Sequence, residues 1–157
     1  MILVSACLAG VKCRYNGESF ACEHVIDLIS KGLAIPLCPE QLGGLPTPRE
    51  NAEQNGEKVQ TRSGLDVTQA YKQGAEEALR IAKLMGCKKA VLKSRSPSCG
   101  SGLIHNGKFS GELVKGEGIF TQLLRANHIE VVSEDDFSTD MNGHPHNSGF
   151  YAENTHY

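Results

Sequence analysis

Six cysteines are the residues of this chain best suited to chemistry. They are Cys7, Cys13, Cys22, Cys38, Cys87 and Cys99. No two of them form a CxxC pair, so neither a zinc knuckle nor a thioredoxin-type motif has local support. A metal site would therefore have to gather thiolates from distant parts of the chain. Disulfides are not needed for folding, because a chain of 157 residues can bury a sizeable core.

Four short apolar segments predict buried strands on which such a site could be built. In chain order they are "MILVSA", "LAIPL", "CKKAVLK" and "IEVVS". Apolar residues at helical spacing predict three intervening helices, over residues 20–29, 66–85 and 118–127. This alternation predicts an α/β fold: a single Rossmann-like domain with a mostly parallel sheet and crossover helices.

Local signals predict further details of these elements. Asp66 is expected to cap the second helix, with Gln69 completing a capping box, and Gly86 to end that helix. Asn55-Gly56 predicts the turn of a small hairpin, and the Asn-Gly pair in "GLIHNGKFSG" predicts another. Residues 38–64 read as a long Gly- and Pro-rich connection, which in a small domain is usually functional or disordered.

The predicted topology makes the positions of three cysteines informative. Cys7 follows the first strand, Cys38 follows the second, and Cys99 lies in the loop after the third. Ligands bind at the carboxyl ends of the strands in such a sheet, so these three thiolates are expected to converge there. Cys22 and Cys87 lie elsewhere and are interpreted as small apolar fillers.

Cys13 leaves two alternatives open. It follows Cys7 by six residues in the same loop and could reach the same place. Four thiolates would suit structural zinc or a closed iron–sulfur cluster. Three thiolates would leave one metal position open, as substrate chemistry requires.

Polar residues near these cysteines could move protons or bind anions. Glu40, two residues after Cys38, is either a solvated loop carboxylate or an acid–base group beside the metal. Three serines precede or flank Cys99: Ser94, Ser96 and Ser98. Three basic residues lie in loops at the same end of the sheet and could bind a phosphate or remain solvated: Lys12, Arg14 and Arg49.

Several motifs in order resemble the thiouracil desulfidase family, over roughly residues 2–133. They are "LVSACLAGVKCRYNG", "CPEQLGGLPTPR", "SGLDVT", "KSRSPSCGSG" and "GKFSGELVKGEGIFTQLL". The resemblance implies a Rossmann-like fold that carries a catalytic [4Fe-4S] cluster held by three cysteines. It also implies a non-redox cleavage of a carbon–sulfur bond, which converts thiouracil or 4-thio-UMP into uracil or UMP and hydrosulfide.

The resemblance also implies roles for individual residues. The cluster ligands would be Cys7, Cys38 and Cys99, with Cys13 as a near-site residue or a fourth ligand. Glu40 and Ser96 match the acid–base candidates of the family. Arg14 and Ser98 are predicted to contact the substrate.

Two other classes of protein remain as alternatives. One is a zinc-bearing structural or regulatory module that uses the four cysteines Cys7, Cys13, Cys38 and Cys99. The other is a metal-free nucleotide-binding protein, which is disfavoured because no GxGxxG follows the first strand.

Composition and charge limit the kinds of partner and the cellular location that can be expected. A net charge of −2 gives no support for nucleic-acid binding. The family resemblance implies a small thiolated base or nucleotide as the partner. No apolar run is long enough to cross a membrane, and the start lacks the basic segment of a signal peptide, so the cytoplasm is expected. Residues 138–157 are interpreted as a polar C-terminal extension of a domain spanning residues 1–137. The histidines of this extension (His144, His146 and His156) are interpreted as solvated.

Overall fold

The computed structural model describes residues 1–137, which include eight strands, four α-helices and one 3₁₀ helix, Ala6–Ala9. In chain order the labelled elements are β1 (Ile2–Ser5), α1 (Glu23–Ser30), β2 (Ala34–Leu37), α2 (Pro39–Leu42), β3 (Ala52–Asn55), β4 (Lys58–Thr61), α3 (Thr68–Leu84), β5 (Lys89–Leu92), β6 (Leu103–His105), β7 (Leu113–Lys115), α4 (Ile119–Ala126) and β8 (Glu130–Ser133).

The central sheet has the strand order β2-β1-β5-β8, and every neighbouring pair is parallel. β1 is paired on both sides, with Val4 opposite Pro36 of β2 and Val91 of β5. Helix α1 follows β1, α3 precedes β5, and α4 connects β5 to β8. The predicted α/β fold with a parallel sheet and crossover helices is therefore confirmed.

Each face of the sheet is covered by helices, which explains why its strands are continuously apolar. Leu3 and Leu92 point to the face that packs against α3 and α4, in a core that includes Phe120. Their neighbours Val4 and Val91 point to the opposite face, where α1 packs. This alternation follows from the two-residue period of side chains along a strand.

The two predicted hairpins form beside the sheet, and one differs from expectation. Asn55 pairs with Lys58 across the expected turn, where Gly56 has a φ of 65°. The β6–β7 hairpin instead has residues 106–112 between its strands, so the predicted short Asn-Gly turn is wrong. The amides of Gly107 and Phe109 donate to the Glu53 carboxylate, at 3.1 and 3.2 Å, so part of this loop binds β3 rather than extending the hairpin.

The start of α3 also differs from the prediction. The helix begins at Thr68, and no side chain caps it. Asp66 instead accepts hydrogen bonds from the Thr68 amide (2.9 Å) and the Thr68 hydroxyl (2.6 Å), which makes a turn before the helix. Short polar side chains often bond the backbone two residues on in this way, in competition with helix capping. The predicted stop is confirmed, because the helix ends before Gly86, whose φ is 66°.

The short helix α2 was not predicted, and it is placed by unusually close backbone packing. A Cβ atom added to Gly74 of α3 would lie 1.9 Å from the Pro39 carbonyl oxygen. A Cβ added to Gly43, just after α2, would lie 2.0 Å from the Ala70 carbonyl oxygen. Two glycines therefore let α2 and α3 touch backbone to backbone, and they fix where Cys38 and Glu40 lie.

Two remaining predictions concern membrane-spanning helices and the C-terminal extension. Within residues 1–137, no helix is both long and apolar enough to cross a membrane. The predicted extension, residues 138–157 with its three histidines, lies outside the described residues.

Candidate functional site

Four of the six cysteines line one pocket at the carboxyl ends of β1, β2 and β5. Cys7 lies in the 3₁₀ helix after β1, Cys38 directly precedes α2, and Cys99 lies in the turn after β5. Cys13 reaches the same pocket from the loop after the 3₁₀ helix. The pocket opens to solvent, and the empty space inside it and at its mouth is about 510 Å³.

The two other cysteines lie in the apolar core, away from the pocket lining. Cys22 precedes α1 and packs in the core on the α1 face of the sheet. Cys87 follows α3 and packs in the core on the opposite face. Each is 2% exposed, and all six cysteines are free thiols.

The pKa values of three pocket thiols are raised, those of Cys13, Cys38 and Cys99, which favours their protonated form. Burial raises the pKa of Cys99 to about 12, although the hydroxyls of Ser5 and Ser98 act in the opposite direction. The pKa of Cys13 rises to about 12 because contact with the Cys7 thiol and burial outweigh the lowering by Cys38. A hydrogen bond with Cys13 and burial likewise raise the pKa of Cys38. Because the thiolate is the metal-binding form, a metal that binds here must displace protons.

The turn that carries Cys99 is held by its own serine and by α4. The Ser96 hydroxyl oxygen accepts the amides of Ser98 (3.1 Å) and Cys99 (3.0 Å), which closes the turn. The Thr121 hydroxyl of α4 donates to the Cys99 carbonyl at 2.9 Å. A Cβ added to Gly118 would lie 2.2 Å from the Ser98 carbonyl oxygen, so glycine allows α4 to begin against this turn.

Glu40 lies in the pocket lining as part of an ion pair with Arg49. The Arg49 Nε donates to Glu40 Oε2 at 2.9 Å, and Nη2 also contacts that oxygen. Arg49 further donates to the carbonyl oxygens of Cys13 (2.9 Å) and Pro46 (3.1 Å) and to the Thr47 hydroxyl (3.0 Å). One buried guanidinium therefore joins the Cys13 loop, α2 and the loop after α2.

Lys93 is a second buried cation in the pocket lining, and the sequence analysis missed it. Its ammonium group lies 3.1 Å from the carboxylate of Glu134, which is 1% exposed, and 4.4 Å from the centre of the Phe20 ring. The same carboxylate accepts the amide and the hydroxyl of Ser94, each at 2.7 Å. Both Lys93 and Glu134 follow parallel strands directly. A charged residue at that place, where such sheets bind ligands, is the signal that could have found them.

The remaining predicted residues lie at different depths. Arg14 lines the pocket, with its guanidinium carbon 5.6 Å from the centre of the Phe20 ring. Ser96 also lines the pocket, whereas Ser98 is 1% exposed and is not among the lining residues. Tyr15 lines the pocket without having been predicted, and Lys12 is exposed and absent from the lining.

Chemically, the pocket combines four soft sulfur donors with one carboxylate and several hydroxyls. Thiolates favour zinc, copper(I) and iron–sulfur clusters over hard cations. Among residues 1–137, no three His, Cys, Asp or Glu side chains are arranged to hold a single metal ion.

Comparison with known proteins gives consistent results over most of the chain. A solved structure described as a [4Fe-4S]-dependent thiouracil desulfidase, TudS, is 50% identical to this chain, with a TM-score of 0.84. The match covers 87% of this chain and 92% of that one. An uncharacterized protein of Bacillus subtilis (strain 168), YbbK, is 44% identical over 148 residues, which cover 88% of this chain and 98% of YbbK.

Neither relative is described as a zinc module or as a metal-free nucleotide-binding protein. The model of the 2-thiouracil desulfurase family matches residues 2–136, nearly all of the part that the structure describes. The chain therefore belongs to the 2-thiouracil desulfurase family.

Proposed function

We propose that this protein is a [4Fe-4S]-dependent desulfidase that converts a thiolated uracil and water into uracil and hydrosulfide without net redox change. The observation that carries the proposal is the convergence of thiols from three strand ends in one open pocket. Family membership and the likeness to TudS support the same activity and cofactor. The substrate is a thiouracil base or its nucleotide, such as 4-thio-UMP.

The donor set of the pocket fits an iron–sulfur cluster. The residues that would hold it are Cys7, Cys38 and Cys99, with Cys13 as the additional thiol beside them. A single tetrahedral ion would draw its thiolates to about 2.3 Å from one point, whereas a four-iron cluster binds each thiolate through a different iron. The cluster is therefore compatible with thiols that are not gathered around a single ion position.

A cluster held by Cys7, Cys38 and Cys99 would supply, when bound, a Lewis acid for the thiocarbonyl sulfur. Glu40 acts as the general base. Both hydrogen bonds from Arg49 end on Oε2 of Glu40, which leaves Oε1 to take a proton from water as the water oxygen bonds to the ring carbon. The carbon–sulfur bond then breaks as the new hydroxyl gives its proton to the departing sulfur, so that the carbonyl forms and sulfur leaves as hydrosulfide. The proton held by Glu40 returns to solvent, and no electrons are gained or lost.

Two further residues orient the reactants in this proposal. Ser96 Oγ accepts two backbone amides, so its own proton is available to donate toward water or the substrate. Arg14 lies in the lining beside Phe20 and supplies positive charge for an anionic part of the substrate. A small substrate rather than a nucleic acid agrees with the net charge of −2.

The free state of all six cysteines also supports a place in a reducing compartment, for which we propose the cytoplasm. Disulfides persist in oxidising compartments and are rare in the cytosol.

The test compares a half-buried cysteine of the pocket, Cys38, with a buried cysteine outside it, Cys22, after anaerobic reconstitution with iron and sulfide. Cys38→Ala should lower the iron content and abolish hydrosulfide release from thiouracil and 4-thio-UMP. Cys22→Ala, which removes a thiol outside the pocket, should keep both. Full iron content and full activity in Cys38→Ala would overturn the ligand assignment, and a wild-type protein inactive on both substrates would overturn the function.

A further inference from the structure

Tyr15 is an aromatic residue of the pocket lining that the reaction above does not use. It is half-buried and lies in the same loop as Cys13 and Arg14. Among residues 1–137, no other residue of the lining is aromatic. The remaining apolar side chains of the lining, apart from the cysteines, are aliphatic: Ala6, Leu37 and Pro39. Tyr15 is therefore the lining residue whose shape and chemistry suit a flat conjugated ring.

The backbone of Tyr15 is held in a closed turn. The Gly17 amide donates to the Arg14 carbonyl at 2.8 Å, and the Arg14 amide donates to the Glu18 carbonyl at 3.1 Å. The Asn16 side chain also bonds Glu18, through its carboxylate and its amide, each at 3.0 Å. These bonds involve the main chain and the neighbours of Tyr15, so they survive a change of the Tyr15 side chain.

Arg49 connects Tyr15 to the general base Glu40. The Arg49 backbone amide donates to the Tyr15 carbonyl oxygen at 2.8 Å, and Arg49 Nε donates to Glu40 Oε2 at 2.9 Å. The Arg49 side chain is 7% exposed, so this connection is buried. A water activated by Glu40 must attack one particular carbon of the substrate ring, which requires that ring to lie in a fixed place relative to Glu40. A residue tied to the same arginine is well placed to provide this.

We propose that Tyr15 stacks on the pyrimidine ring of the substrate and thereby positions its thiocarbonyl carbon for attack. The inference rests on the proposed function, because it takes a thiolated uracil as the substrate. Aromatic side chains stack on nucleobases of every kind, because each base presents a π-face. Stacking uses the face of the ring, which leaves the sulfur and oxygen atoms at its edge to other groups of the site. Tyr15 should therefore serve 2-thiouracil and 4-thiouracil equally.

The test compares Tyr15→Phe with Tyr15→Leu after anaerobic reconstitution. Tyr15→Phe keeps the ring and should keep the wild-type KM for thiouracil. Tyr15→Leu stays apolar but loses the ring, so it should raise KM about 5- to 150-fold, the factor that base–aromatic stacking contributes. The turnover number should change less than KM. The dissociation constant of the product uracil, measured by calorimetry, should rise by a similar factor, because uracil has the ring without the sulfur.

Phe109→Leu is the matched control. Phe109 is also a half-buried aromatic residue, but its ring centre lies 5.0 Å from the guanidinium carbon of Arg62, and it does not line the pocket. Its loss should leave KM and uracil binding at wild-type values.

Three results would overturn the inference and leave the proposed function intact. They are an unchanged KM in Tyr15→Leu, equal affinities of wild type and Tyr15→Leu for uracil, or an equal rise of KM in Tyr15→Phe or Phe109→Leu. A wild-type protein inactive on both thiouracil and 4-thio-UMP would overturn the function and the inference together.

Discussion

At the scale of single residues, Arg49 connects several segments of the site through its hydrogen bonds. Its guanidinium bonds α2 through Glu40, the Cys13 loop and its own loop, and its side chain is only 7% exposed. Removing one partner of a buried ion pair leaves an uncompensated charge, which typically costs about 3–5 kcal/mol. An exposed pair contributes at most about 1 kcal/mol.

Arg49→Met should therefore lower the free energy of unfolding by about 3–5 kcal/mol, measured by urea denaturation. It should also slow hydrosulfide release at saturating substrate, because Glu40 loses its fixed orientation. Arg80→Met is the control, since Arg80 pairs with Glu77 on the surface at 3.4 Å, and its effect should stay below about 1 kcal/mol. Equal losses in the two variants would contradict the structural role of Arg49.

The positions of the pocket cysteines could be predicted from sequence because they depend on one rule. Strand ends of a parallel sheet meet at one edge, so Cys7, Cys38 and Cys99 had to approach one another. The partnership of Glu40 with Arg49 could not be predicted, because an aperiodic loop carries no signal for which of its side chains meet.

At the scale of elements, the contact between α2 and α3 sets the position of Cys38. Gly74 faces the Pro39 carbonyl with no room for a methyl group. In most helices a change from Gly to Ala is stabilising by about 1 kcal/mol. Here the added methyl group must push α2 away, and such overpacking typically costs about 1–3 kcal/mol.

Gly74→Ala should thus destabilise the protein by about 1–3 kcal/mol and lower its iron content after reconstitution. Thermal melting and iron analysis measure the two effects. Gln73→Ala, the neighbouring position on the exposed side of α3, should change neither. A Gly74→Ala protein as stable and as rich in iron as wild type would mean that α2 does not need this close approach.

The predictability of the elements followed their length and periodicity. The long helix α3 and the four apolar strands could be predicted from the sequence, because their apolar residues recur with the spacing of a helix or a buried strand. The four-residue α2 has too few residues for any period to show, and tight packing on α3 determines it instead. The connection in the β6–β7 hairpin is likewise determined by a distant partner, Glu53.

At the scale of the whole molecule, the last described residues pack against the residues that line the pocket. Glu134 is 1% exposed and joins the end of β8 to Lys93 and Ser94 after β5. Phe137 is 4% exposed and packs in the core on the α1 face of the sheet. The last described residues therefore pack against both the sheet and the pocket, and the stability of both should depend on them.

Two truncations test how much of the chain this arrangement needs. A chain ending after Phe137 keeps the family match and should melt within about 2 °C of the full chain with the same iron content. A chain ending after Ser133 loses Phe137 and leaves the buried Lys93 without its carboxylate partner. A loss of about 3–5 kcal/mol or more should lower its melting temperature by about 10 °C or prevent folding. If the longer truncation product were as unstable as the shorter one, residues 138–157 would have to belong to the fold, and the predicted boundary after residue 137 would be wrong.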